Sequence, residues 1–200
     1  MTDASQLPPD NVIVRYRIAD FDAWKAVFDD NESHRKAAGF LAHHITRDED
    51  DPNSISVFFA VSDEDQFKAY ASSDEVKALM AEAGVVSEPT IGFITQPRQG
   101  ALWDRQLPVA RIKLHVEDFD HWSTAFDAGD ELRSANGITG RSVNRSQEDP
   151  STVVVYLQAE SVDTLRAFMA LDELRTAMKE AGVSSDPEVS YHTGGWGKLY

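Results

Sequence analysis

Phe21-Asp22-Ala23-Trp24 returns as Phe119-Asp120-His121-Trp122, 98 residues further along a chain of 200. The same shift carries Phe28 onto Phe126, Arg35 onto Arg133, Gly39 onto Gly137 and Arg47 onto Arg145. It also carries Asp51-Pro52 onto Asp149-Pro150, and Glu82-Ala83-Gly84-Val85 onto Glu180-Ala181-Gly182-Val183, with no gap needed. A repeat at one fixed shift is a single supersecondary unit written twice. Whatever fold the chain adopts must therefore be solved by one short module, once over residues 1–98 and again over 99–200.

Each copy predicts the same elements. Residues 12–18 and 110–116 alternate apolar and polar side chains, the period of a half-buried strand. Asp20 and Asp118 stand where a helix needs an N-cap acceptor. Phe21, Trp24 and Phe28, and their counterparts Phe119, Trp122 and Phe126, then fall on one helical stripe. Gly39 and Gly137 suit the left-handed residue that ends a helix. Strands follow at 40–47 and 138–145, then an Asp-Pro turn, then strands at 54–61 and 152–159. Helical stretches at 63–83 and 161–181 come next, the first broken near Ser72-Ser73, and short strands at 90–94 and 188–192 close each copy.

The order β-α-β-β-α-β makes an α+β fold of two tandem ferredoxin-like modules. Such a sheet carries helices on one face and leaves the other uncovered. Two copies can cover one another sheet to sheet, which predicts an intrachain α/β barrel with the helices outside. Residues 96–108 hold Pro97, Gly100 and Pro108 and read as a linker, and His192 to Gly197 reads as a flexible tail with one aromatic anchor.

Composition narrows function more than fold. The net charge of −15 disfavours nucleic acid and anionic membrane surfaces as partners. The absence of cysteine removes disulfides, thiolate catalysis and cysteine metal sites. No apolar run reaches the roughly 18 residues of a membrane span, and Met1 to Asp10 lacks a signal-peptide core, so a cytoplasmic protein is expected. Asp48-Glu49-Asp50-Asp51 lacks the alternation and glycine of a calcium loop and reads as a solvated turn. No metal-ligand spacing and no phosphate-cradling glycine loop occur, so neither metal nor cofactor is expected.

The run Arg15-Tyr16-Arg17-Ile18-Ala19-Asp20-Phe21-Asp22-Ala23-Trp24, with Gly39 and Ala83-Gly84-Val85 behind it, resembles the dimeric α/β-barrel superfamily. Within it, the chain is similar to the small antibiotic-biosynthesis-monooxygenase-like and cyclase-like proteins, once per copy. The resemblance implies a fused pair of modules, either a monomeric pseudo-dimer or a homodimer of such chains. It also implies activities that include cofactor-free oxygenation, cyclisation and isomerisation. The Asn, Trp and His constellation of the haem-degrading members has no match here.

Period two puts Val14, Tyr16 and Ile18 under the helices and Arg15 and Arg17 on the opposite face of the first strand. In the second copy that opposite face carries Arg111, Lys113 and His115, and the third strands add Phe58 and Tyr156. Buried cations need partners, so Arg15, Arg17, Arg111, Lys113, Tyr156 and Phe58 are expected to bind an anionic or polar small molecule. None of the six histidines repeats at the shift; His115 and His192, on adjacent strands, are the candidate acid and base. Arg35 and Arg133 each follow an acid by three residues and read as surface pairs, while Trp24 and Trp122 read as core anchors.

Two functions stay open. One is a cofactor-independent enzyme of monooxygenase, cyclase or isomerase type on a small anionic, aromatic or polyketide-like substrate. The other is a non-catalytic small-ligand-binding or stress-response module. Haem binding is a third and needs an axial histidine facing a cavity.

Overall fold

The computed structural model describes residues 10–98 and 106–200; Met1 to Pro9, part of the expected linker and Trp103 lie outside the described residues. The first module runs β1 (Asp10–Arg17), α1 (Phe21–Asp30), α2 (Glu32–Ala37), β2 (Phe40–Asp48), β3 (Ser54–Val61), α3 (Glu64–Ala71), α4 (Asp74–Glu82) and β4 (Thr90–Arg98). The second runs β5 (Val109–His115), α5 (Phe119–Ala128), α6 (Asp130–Ala135), β6 (Ile138–Ser146), β7 (Thr152–Ala159), α7 (Val162–Met169), α8 (Asp172–Glu180) and β8 (Glu188–Leu199). The β-α-β-β-α-β order therefore holds in both, with every helical segment split in two. The break between α3 and α4 falls at Ser72-Ser73, where Ser73 Oγ caps the new helix by accepting from Val76 N.

The chain divides into two compact units, residues 1–93 with 196–200, and residues 94–195. The end of β8 thus belongs to the first unit. His192 to Gly197, expected as a flexible tail, is strand. In the first unit Trp196 packs on Phe21 with ring centroids 4.7 Å apart, and Tyr200 N donates to Leu41 O at 2.9 Å. The aromatic contact and the backbone bond give the segment a structure that its Gly-rich sequence alone does not predict.

In the first unit β3 pairs antiparallel with both β1 and β2. In the second, the antiparallel order is β8-β5-β7-β6-β4. The repeated residues turn out to be scaffold. Asp20 Oδ1 accepts from Ala23 N, and Asp118 Oδ1 accepts from His121 N, the N-caps of α1 and α5. Arg47 Nε donates to Pro52 O at 2.8 Å and Arg145 Nε to Pro150 O at 2.6 Å, closing the two Asp-Pro turns. The same arginines lie over Phe21 and Phe119. Gly39 has φ +82°, the left-handed conformation that glycine adopts freely.

Each unit has its own core between sheet and helices. Trp24 stacks on Phe28 at 5.0 Å over Val12, Val14 and Val57 in the first. Trp122 stacks on Phe126 at 5.1 Å over Ile112, Leu114 and Val155 in the second. Both tryptophans are core anchors as their helical spacing requires.

Candidate functional site

The sequence-predicted residues are spread over both units, and none lines either of the two cavities described below. Arg17 is 62% exposed and pairs with Asp51 at 3.2 Å. Arg15 is half-buried opposite Ser56, and Phe58, also half-buried, stands opposite Ile13 and His44. In the second unit Arg111 is the cross-strand neighbour of Tyr156 on one side and Ser190 on the other. Lys113 pairs with Glu188 at 3.1 Å. His115, 40% exposed, sits 3.6 Å from Asp149 Oδ2 and 3.4 Å from Ser185 Oγ. His192 is buried with Nε2 2.9 Å from Ser190 Oγ. So Arg111 and Tyr156 meet, whereas His115 and His192 each have their own local partners.

What the first unit does contain is a cavity of about 130 Å³ on the helix side of its sheet. β1 contributes Val14 and Tyr16, α1 contributes Trp24 and Phe28, and β3 contributes Phe59. Phe40, Phe67 and Tyr70 close the far wall, with Met80 and Leu79 from α4. An apolar cavity of roughly 150 Å³ holds benzene, so this one has room for about one aromatic ring. Its walls are rings because the Phe21/Trp24/Phe28 stripe faces the aromatic positions of β2 and β3. Burial pushes the pKa values of Tyr16 and Tyr70 up, so both phenols stay protonated.

One charge lines that cavity. Arg35 is 4% exposed, not the surface partner of Glu32 that its spacing suggested. Glu32 instead binds Lys36 and Lys198, which hold its carboxyl down to about 2. The Arg35 guanidinium lies 3.7 Å over the Phe28 ring and donates from Nη1 to Phe28 O at 2.5 Å. Its Nε donates to Tyr200 Oη at 2.7 Å. Nη2 is sealed from solvent without a hydrogen-bond partner among the described residues.

Behind Arg35 the network continues. Tyr200 Oη is 2.8 Å from His43 Nδ1. Because the phenol oxygen already accepts from Arg35, its proton points to His43, whose Nδ1 must be bare. Burial first, and Arg35 second, depress the His43 ionisation to about 3, which keeps that nitrogen available as an acceptor. The His43 ring meets Phe28 edge-on at 5.0 Å. Here β2 departs from strict alternation: a register shift between Phe40 and Ala42 buries Ala42 and His43 in succession.

The second unit repeats the cavity at about 80 Å³, with fewer polar groups. Leu114 replaces Tyr16, Phe168 replaces Tyr70 and Gly129 replaces Asn31. Arg133 occupies the place of Arg35, but Asp130 accepts from its Nη2 at 2.6 Å and from Arg141, the counterpart of His43, at 2.7 Å. This cation has a carboxylate partner within its own unit, shared with Arg141. The signal for the asymmetry was present in the repeat, in the hydroxyls and the amide that fail to match on the helix-facing side. Among the described residues, no group of histidines and carboxylates could hold a metal ion, and no helix is long and apolar enough to cross a membrane.

Residues 14–82 match the profile of the Antibiotic biosynthesis monooxygenase family, and the match contains most of the first cavity's walls. No curated protein matches the chain in sequence. Solved structures share its fold at low identity. A candidate monooxygenase from Lactobacillus acidophilus NCFM superposes with a TM-score of 0.63 at 11% identity, covering 94% of each chain. An anthrone oxidase-like protein gives 0.63 at 11% identity, covering 95% of this chain and 92% of its own. A candidate chlorite dismutase gives 0.59 at 14% identity, covering 92% and 94%. Residues 14–82 of the first module are thus similar to the antibiotic biosynthesis monooxygenase family, and the whole chain shares the tandem ferredoxin-like fold of these solved structures.

Proposed function

We propose that the first unit is a cofactor-independent oxygenase for a small aromatic or enolisable compound, and that its site is the cavity under α1 to α4. The observation that carries this reading is the ring-walled cavity inside the module that matches the monooxygenase family. The likeness to an anthrone oxidase-like protein, which is a likeness of fold, suggests the type of substrate carbon: a methylene activated by a neighbouring carbonyl and ring.

The reaction balances on substrate and dioxygen alone. The substrate enters as its enolate or phenolate, its proton already lost to solvent, and gives electrons to O2 as a C–O bond forms. Protonation yields a hydroperoxide; loss of water from it turns the methylene into a carbonyl. Developing negative charge on the substrate oxygen would be met by Arg35 and by the protonated phenols of Tyr16 and Tyr70. The aromatic walls would hold the ring and keep bulk water from the anion.

Oxygen uptake measured over a panel of hydroxyarenes, enolisable aryl ketones and anthrone tests this directly. Turnover should disappear in Ala71→Phe, which fills the first cavity, and persist in Ala177→Phe, which fills the second. Equal loss in both variants, with both still folded by near-UV circular dichroism, would refute the assignment. Saturable binding with no oxygen uptake would support the ligand-binding alternative instead.

A further inference from the structure

We infer that the first unit's cavity recognises an organic anion, a carboxylate, phenolate or enolate conjugated to a single ring, and that Arg35 is the group that selects it. The inference rests on the cavity reading above and narrows its ligand. Three observations carry it. Arg35 is the one charged side chain lining the cavity, with no carboxylate or histidine beside it there. Among the described residues no carboxylate lies within salt-bridge distance of it, and Nη2 lacks an acceptor. Buried cations left this way are costly unless something negative completes them.

The second unit is the internal comparison. There the equivalent arginine has a carboxylate against it, Asp130, which it shares with Arg141. The same scaffold therefore solves the buried cation in two ways. In one unit it is paired internally; in the other it is supported by neutral acceptors only, Phe28 O and Tyr200 Oη. Neutral acceptors fix the guanidinium without cancelling its charge. Tyr200 and His43 are positioning residues in this scheme: Tyr200 fixes Nε and His43 fixes the Tyr200 hydroxyl. The lack of a base among the lining residues fits a ligand that arrives already ionised.

Isothermal titration of the full chain with benzoate and with benzyl alcohol, equal in size and different in charge, tests the selection. Benzoate should bind at least tenfold tighter, the worth of about one charge-assisted hydrogen bond, at one site per chain. p-Nitrophenol, buffered one pH unit below its own pKa, should turn yellow on binding as the site draws it into the phenolate form. Ala71→Phe should remove both signals and Ala177→Phe neither. Arg35→Met should abolish the preference while keeping benzyl alcohol binding; Tyr200→Phe should weaken benzoate severalfold and leave benzyl alcohol unchanged. Equal affinity for the two probes in the wild-type chain would overturn the anion selection and leave the cavity reading standing. Binding of neither would overturn both, and the wild-type measurement decides this even where Arg35→Met does not fold.

Discussion

Acid should loosen the first unit through His43, and the size of the effect can be worked out. The buried ring is 3% exposed, and burial holds its pKa down to about 3, well below the ordinary histidine value of about 6.5. A group with a depressed folded pKa binds its proton in the unfolded chain first, so its contribution is full above the unfolded pKa and is lost as pH falls. Between pH 6.5 and the folded value, one extra proton is taken up on unfolding, which shifts the folding equilibrium about tenfold per pH unit. By pH 4.5 that is about 3 kcal/mol, a large share of the 5–15 kcal/mol typical of a domain. His44, also depressed by burial, to about 4, adds in the same direction. Urea unfolding at half-unit steps from pH 7 to 4.5, with proton uptake read from the slope, measures the sum. His43→Asn keeps an acceptor where Nδ1 meets Tyr200 and removes the titration, so its slope should be shallower by one proton over that window. A slope identical to wild type would show that His43 is not held neutral, and the donor direction assigned to the Tyr200 hydroxyl would fall with it.

Two further outcomes concern the scaffold. Gly39→Ala should destabilise by about 1–2 kcal/mol or more, since a Cβ at φ +82° would sit 2.5 Å from Ser62 Oγ, whereas Gly92→Ala meets nothing within 4 Å and should change the urea midpoint little. Trp24→Ala should cost about 3–5 kcal/mol in equilibrium unfolding and enlarge the first cavity, and a cost below about 1 kcal/mol would mean the helix collapses onto the sheet.

Much of the fold was legible because the repeat multiplies weak signals. Asp20 and Asp118 as caps, Ser72-Ser73 as a helix break and the Trp24 stripe as core are local matters, set by residues within a few positions of each other. The first cavity was not legible for two reasons. The register shift in β2 breaks the period-two rule on which face assignments rest, and it buries His43 where alternation would not. Arg35 takes its defining partner from Tyr200, 165 positions away, while the acid three positions before it binds two lysines instead. In the second module the same spacing does give the pair, Asp130 with Arg133, although that arginine is buried. Identical local spacing thus led to opposite electrostatics, and only distant residues decided which.

The membership of Trp196–Tyr200 in the first unit has a consequence for how the two halves can be separated. Cutting the gene at the repeat boundary would yield a first half without the phenol that seats Arg35 and without the indole on Phe21. A stop codon just before Trp196 would leave the second copy nearly entire in sequence, yet its damage would appear in the first. Deletion mapping, in which lost activity is assigned to the segment removed, would therefore point to the wrong half of this chain.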